Sequence, residues 1–450
     1  MTKTIKLALV AAMAMGATSA FATNGDNLIG LGAKSRAMGG TGIAHFNGSE
    51  SATSNPALIT KAKGTNFTFG GTYFRPDVEV VSGDALQVIP TGFPGAGSVI
   101  TYAEGDTYKS DAKHNIIPYV ALTENLGNGW AVGVSMFGSA GMGTDWRNAP
   151  IELQPGFAGV AVADGGDGSN SFGLYSMRSN LLLLKFSVPV AYGQDNWSVG
   201  IAPVMMYGSL DMSFKTPNTV DVGGGNFFPD GTVSSHGNGS SASFGLGLEL
   251  GASYTLPDMG LTLGATYHSS IEMEYKDQIS TSAEAFGFTG ANAFTNKLEQ
   301  PAEYGLGIDW TEGDISLTAD WRNVRWGNAR GYQDFGWENQ DVYALGAEYR
   351  MDDLALRAGF NYGKNPIKAT DGSGLGGSIN TLNHVMFPAV TQRHYTLGAG
   401  YQFTKNVGAD LGLTYGVSGD HVVNTGATGL GDLKVTNDQF GLSANLNYSF

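Results

Sequence analysis

The sequence has no cysteine in its 450 residues, little charge, and no long apolar run after its first two dozen positions. Each lack excludes something. Without cysteine there is no disulfide framework, so an exported chain of this size must be stabilised by other means. Charged residues make up 14%, against about 25% in typical soluble domains. The charge that exists is mostly negative, with 40 acidic residues against 25 basic ones. Nucleic acid is therefore not an expected partner, because binding it needs clustered cations. Past residue 22 no stretch approaches the roughly 20 apolar residues of a membrane helix.

What is present begins with a leader. Lys3 and Lys6 precede an apolar run, Leu7 to Met15, and Ala20-Phe21-Ala22 is a small-x-small cleavage site. That is the pattern of a secretory signal peptide, so residues 1–22 are expected to be removed and the mature chain to begin at Thr23. The mature chain then keeps 23 basic residues and a net charge of −17. Glycine is abundant, at 67 residues, and aromatics reach 11%. A glycine- and aromatic-rich, low-charge, exported chain without cysteine suits an outer-membrane barrel.

The pattern of residues argues the same way. At the C-terminus, Phe440, Leu442, Ala444, Leu446, Tyr448 and Phe450 share one parity, and polar residues or glycine hold the other. Successive strand side chains point to opposite faces, so this is a strand with one apolar and one polar face. The same alternation runs through 244–256, 261–275, 304–310, 315–321, 343–349, 354–362, 395–403 and 407–415. Less regular pairs lie at 115–123 with 130–138 and at 171–192 with 197–214, and one strand lies near Phe67–Val80. The count is fourteen. Six tight turns alternate with seven long segments, as in single-chain outer-membrane barrels with short periplasmic turns and long external loops. Tyrosine, tryptophan and phenylalanine at the ends of apolar blocks fit the aromatic girdles of such barrels. The expected fold is thus all-β, a 14-stranded antiparallel transmembrane β-barrel over 65–450, with both termini periplasmic.

Residues 23–64 show no strand alternation, and their glycines and small residues suit a compact plug for the lumen rather than a flexible tail. Here the sequence resembles a known family. Ser35-Arg36-Ala37-Met38-Gly39-Gly40 and the triplet Asn55-Pro56-Ala57, set between a glycine-rich segment and the first strand, are similar to the N-terminal signature of the FadL/TodX outer-membrane transporters. The stretch "SMFGSAGMGTDW" after the third strand also resembles that family. The resemblance implies an N-terminal hatch, a kinked third strand that opens laterally into the membrane, and passive uptake of long-chain fatty acids or hydrocarbons. Carried over, Asn55, Pro56 and Ala57 would hold the hatch near the kink, and Gly138, Gly141 and Gly143 are where the kink would form. On their own account these glycines either permit a bulge in the strand or simply begin the second long segment.

Candidates for a substrate groove are Met142, Trp146, Phe157, Phe227 and Phe228 in the long segments. Inward parity places Glu249, Glu272, Glu274, Asp309, Asp320, Arg322, Glu348, Arg350, Arg357 and Asp410 in the lumen, where buried charges must pair. Arg178, Arg322, Arg350 or Arg357 are the cations offered for a substrate carboxylate. The histidines have no metal-ligand spacing, and neither a phosphate loop nor a nucleophile elbow is present. No cofactor, metal or catalytic set is expected. Expected partners are hydrophobic small molecules, outer-membrane lipid and lipopolysaccharide, and the barrel-assembly machinery through Phe450, for a monomer. The competing readings are a porin for hydrophilic solutes and, more remotely, a barrel enzyme, for which His268 and His394 lack evident partners.

Overall fold

The computed structural model describes residues 23–81, 86–89, 98–101, 107–147, 177–221, 227–237, 239–284, 286–419, 421–425 and 432–450. The leader, residues 1–22, lies outside the described residues.

Fourteen antiparallel strands close on themselves. They are β1 (Thr65–Val81), β2 (Asn115–Gly127), β3 (Trp130–Asp145), β4 (Arg178–Ser187, continuing as Val190–Gln194) and β5 (Trp197–Asp221). After these come β6 (Ser241–Leu256), β7 (Leu261–His268), β8 (Glu303–Glu312), β9 (Ile315–Val324) and β10 (Gln340–Met351). The last four are β11 (Leu354–Gly363), β12 (Thr391–Gln402), β13 (Val407–Ser418) and β14 (Asp432–Ser449). Each pairs with its sequence neighbours, and β1 pairs with β14 from Asn66–Ser449 to Val81–Lys434, which closes the barrel. Closure removes the free edges that an open sheet would present.

The alternation decides which face meets what. Leu246 and Leu397 are 80% and 62% exposed, and Leu306, Leu345, Leu411 and Leu446 are also exposed, all on the outer parity. Between them, Glu249, Asp309, Asp320, Glu348 and Asp410 are buried on the inner parity. An outward apolar band on a closed barrel is the membrane-facing surface. Exposed rings mark both rims: Trp130, Trp197, Tyr254, Tyr349 and Tyr401 near the short turns, Phe244, Tyr304, Tyr343, Tyr395 and Tyr415 near the long segments.

The connections sort by length as the sequence predicts. The short turns use left-handed residues, such as Asn128 at φ 51° and Gly129 at φ 84°. Those conformations match strand twist in tight hairpins. Both barrel termini lie on the short-turn side, with Phe450 N–H donating to Thr65 O at 2.9 Å.

Three boundaries differ from the sequence reading. β7 ends at His268, and Ile271, Met273 and Tyr275 are buried in the following segment, not on the outer face. That segment pairs only through isolated bridges, Ile271 with Gln300 and Glu274 with Lys297. One side still faces protein and the other solvent, so the alternation persists past the strand. Glu272 and Glu274 are correspondingly exposed, and Glu272 pairs with Lys297 at 2.6 Å outside the lumen. β3 runs on to Asp145, so Gly138, Gly141 and Gly143 are strand residues. β4 is described from Arg178, residues 171–176 lying outside the described set.

Candidate functional site

The site is built where residues 23–64 meet the inward faces of the strands. Glycines on both sides permit the close approach. Gly39, at φ 69°, has no Cβ, and one there would stand 2.5 Å from Phe360 O. Its N–H donates to Thr396 Oγ1 at 2.9 Å, and its carbonyl accepts from Asn361 Nδ2 at 3.0 Å. Asp320 Oδ2 accepts from the N–H groups of Gly42 and Ile43 at 2.8 and 3.0 Å. His45 Nδ1 lies 2.7 Å from Asp309 Oδ1. Asn55 donates to Ile43 O at 2.7 Å and to Ala252 O at 3.2 Å, while its side-chain oxygen accepts from Ala57 N–H at 3.0 Å. Pro56 follows at the first position of the short helix Pro56–Lys61, where its missing N–H costs nothing. Glu50 receives the N–H groups of Lys34 and Ser35 and the amide of Asn445. Backbone groups of a strandless segment are thus satisfied by wall side chains, as burial requires.

The third strand has a break. Its pairing with β2 stops at Tyr119–Phe137, and its register against β4 slips between Gly138 and Ala140. Backbone of the N-terminal segment occupies this stretch. Leu28 N–H donates to Ser139 O at 3.3 Å, and Gly141 N–H donates to Asp26 O at 3.1 Å. A Cβ on Gly138 would stand 2.6 Å from Ile117 Cγ2 of β2. The residues at the break are therefore Asp26, Asn27 and Leu28. Asn55, Pro56 and Ala57 sit elsewhere, against Gly200 of β5 and Gly251 of β6. The structure does not bring the triplet and the β3 glycines together.

Above the break lies a buried apolar cluster drawn from strand ends and long segments. It includes Met142, Trp146, Leu181, Met206, Phe214, Tyr275, Trp326, Tyr332, Trp337, Val385 and Met386. Trp146 Nε1 and Thr144 Oγ1 both donate to Val385 O at 2.8 Å. Trp326, Tyr332 and Trp337 pack with ring centroids 4.7 to 5.2 Å apart. The N-terminal end reaches this aromatic group, since a Cβ on Gly25 would lie 2.5 Å from Trp326. Tyr332 and Gln300 donate to the Asp26 carboxylate, which burial pushes up to about 6. Beside this lies a cavity of about 100 Å³ bounded by Leu28, Leu31, Ser139, Met206, His268 and Arg322.

The remaining predicted residues fall as follows. Met142 and Trp146 are in the cluster. Phe157 lies outside the described residues, as do the side chains of Phe227 and Phe228, which fall in a strand at Phe227–His236. The lumen charges pair. Arg357 bridges Glu348 at 2.6 Å and Asp410 at 2.7 Å, and Lys34 lies 3.7 Å from Asp410. Glu249 takes Lys185 at 2.9 Å, and Arg178 takes Asp211 at 2.7 Å. Arg322 donates to Ile29 O at 3.1 Å and lies 4.0 Å from Glu303. Arg350 shares the inward parity but is 60% exposed at the mouth, bonded to Glu348. Sequence reasoning missed Asp26 and Lys185, since nothing in parity marks a charge outside the regular strands or in a less regular one.

The family described as outer membrane protein transport protein (OMPP1/FadL/TodX) matches residues 7–160 and 167–450. Outer membrane protein P1 of Haemophilus influenzae is 24% identical over 86% of this chain and 83% of that protein. A long-chain fatty acid transport protein of Escherichia coli is 22% identical over 99% of this chain and 98% of its own length. The crystal structure of the Pseudomonas putida toluene transporter TodX shares the fold, with a TM-score of 0.63 at 20% identity over 94% of this chain and 99% of that one.

Proposed function

The chain belongs to the outer membrane protein transport family OMPP1/FadL/TodX, and from that premise we propose that it carries long-chain fatty acids or hydrocarbons passively across the outer membrane. The family consists of transport channels, not enzymes. Residues 23–64 act as the hatch of the lumen, with Asn55, Pro56 and Ala57 holding it to the wall. The short turns and both termini face the periplasm, and substrate enters from the long-segment side. It is captured among apolar side chains that include Met142 and Trp146. Release is sideways, through the stretch of β3 around Gly138, Gly141 and Gly143.

One observation carries this reading: the β3 break, filled by backbone of Asp26–Leu28 and continuous through Ala140 and Met142 with the buried apolar cluster. Each methylene leaving water gains about 0.8 kcal/mol in an apolar site. A water-filled pore offers a lipid no such affinity. Side-chain capture followed by lateral exit moves the molecule into lipid without a return to water. Relatives named for long-chain fatty acid and toluene transport support both substrate classes.

The test is uptake of labelled palmitate and labelled toluene by cells lacking their own transporter, with and without this protein. Faster entry of at least one is expected. If neither enters faster while small sugars do, the reading gives way to a hydrophilic porin.

A further inference from the structure

Four neighbouring strands carry a hollow on the face that meets the membrane. It holds about 610 Å³, is open along one side, and is lined by residues of β8 to β11, most of them apolar. Register explains it. Ile308, Ala319, Leu345 and Phe360 form one outward row, and Trp310, Leu317, Ala347 and Ala358 form the next one towards the short turns. Ala347 and Ala358 stand side by side with Ala319 on the diagonal, so the floor is made of methyl groups. Leu345 and Phe360 bound it towards the long segments, and Tyr349 and Leu356 follow in the row beyond its other end. On the inner face of the same strands a Cβ on Gly346 would stand 2.8 Å from Met38 Cβ, and one on Gly359 2.1 Å from Gly39 N. Neither face of the wall carries bulk here.

The hollow is continuous with the outward apolar band, so what fills it is what the band already meets, a lipid chain. A chain seated there touches side chains on several sides at once, and each added contact lengthens its stay. The end near the short turns selects the lipid. Glu312 and Asp314 lie at the turn between β8 and β9, and Asp352 and Asp353 at the turn between β10 and β11, all four exposed. Arg350, a cation at the same end, is taken by Glu348. Such a rim repels an anionic headgroup and attracts an ammonium group. Half-buried Trp310 and exposed Tyr349 mark the depth at which a headgroup sits.

We propose that this hollow binds one phospholipid with an ammonium headgroup, of the phosphatidylethanolamine type. Its chain lies over Ala319, Ala347 and Ala358, and its headgroup meets the carboxylates of the two turns. With the short turns facing the periplasm, as proposed above, the lipid belongs to the periplasmic leaflet. The site does not depend on what the barrel transports.

The experiment is native mass spectrometry of the full mature protein in detergent, offered phosphatidylethanolamine and phosphatidylglycerol with identical palmitoyl-oleoyl chains at equal concentration. One phosphatidylethanolamine should stay bound, about fivefold more than phosphatidylglycerol, a ratio in keeping with exposed charges. Ala347→Leu with Ala358→Leu should fill the floor and cut retention of both lipids about fivefold or more. Glu312→Gln with Asp314→Asn, Asp352→Asn and Asp353→Asn should keep the chain and lose the preference. The proposal is overturned if the wild type keeps no lipid at unit stoichiometry, keeps phosphatidylglycerol as well, or prefers lipopolysaccharide. Undiminished lipid in the filled variant overturns it too. Heat-dependent gel migration reports whether the filled barrel is closed. Should it not be, the four-carboxylate variant, which leaves the wall untouched, carries the test. If the lipid-free wild type is a dimer and the filled variant a monomer, the hollow seats a second copy and the lipid assignment falls. Uptake of palmitate or toluene bears on none of these outcomes, so failure here and failure of the transport reading are distinct.

Discussion

Asp26 has no exposed surface, takes hydrogen bonds from Tyr332 and Gln300 on one oxygen, and has no partner for the other among the described residues. Burial pushes it up to about 6, and Glu50 up to about 7. Both values lie above the ordinary carboxylate range near 4. Between about pH 4 and 6 the docked segment therefore holds a proton on Asp26 that an undocked one releases. Docking is strongest below that window and weakens as pH rises through it, by up to about 1.4 kcal/mol per unit. Hydrogen exchange at Thr23–Leu28, corrected for intrinsic rates, should be faster relative to its limit at about pH 7 than at about pH 4.5. Asp26→Asn should flatten that dependence at the N-terminal end, leaving the Glu50 contribution around Lys34 and Ser35. An unchanged slope in the variant would remove Asp26 as its source. None of this was legible from the sequence, where Asp26 is one acid in a glycine-rich stretch. Its character comes from Tyr332, more than 300 positions away.

At the scale of the element, β3 is the informative strand. Its period-two alternation through Trp130, Val132, Val134 and Met136 was readable, and so was the glycine-rich stretch after it. Whether those glycines start a loop or a bulge depends on what pairs with them. The answer lies in the backbone of Asp26–Leu28, which no periodicity encodes. The ends of β7 failed for a related reason: Ile271, Met273 and Tyr275 keep the two-residue period while packing inward. The regular strands β8 to β14 were legible because lipid on one side and a polar lumen on the other force the alternation. The break also gives a test of lateral release. A Cβ built on Gly138 lies 3.8 Å from Ile117 Cβ, close to the usual separation across a disulfide. The pair Ile117→Cys with Gly138→Cys, in a chain with no other cysteine, should tie β3 to β2. Palmitate uptake should drop about tenfold when oxidised and return on reduction, on the reasoning that sealing the proposed exit removes that apolar route out. Full uptake by the oxidised form would place the exit elsewhere.

For the whole molecule, the relation between residues 23–64 and the wall around them is decisive. The segment contacts strands all around the barrel, from Ala252 in β6 to Asn445 in β14. Removing it should turn a nearly silent protein into one that passes large, steady currents in planar bilayers. An intact protein that already conducts as a wide pore would defeat the hatch. The composition foreshadowed the barrel, through scarce charge and abundant glycine. It could not foreshadow the pairing of each buried charge, because partners such as Arg357 and Asp410 are set by register across three strands. β1 and β14 join along almost their whole lengths, so the first strand waits for the last one made. A chain cut short anywhere in β14 is left with two long unsatisfied rims and nothing to join them. Without its full last strand such a chain is expected to keep open edges on β1 and on whatever strand then ends it, so closure of the wall depends on residues that sit more than 350 positions apart in the chain.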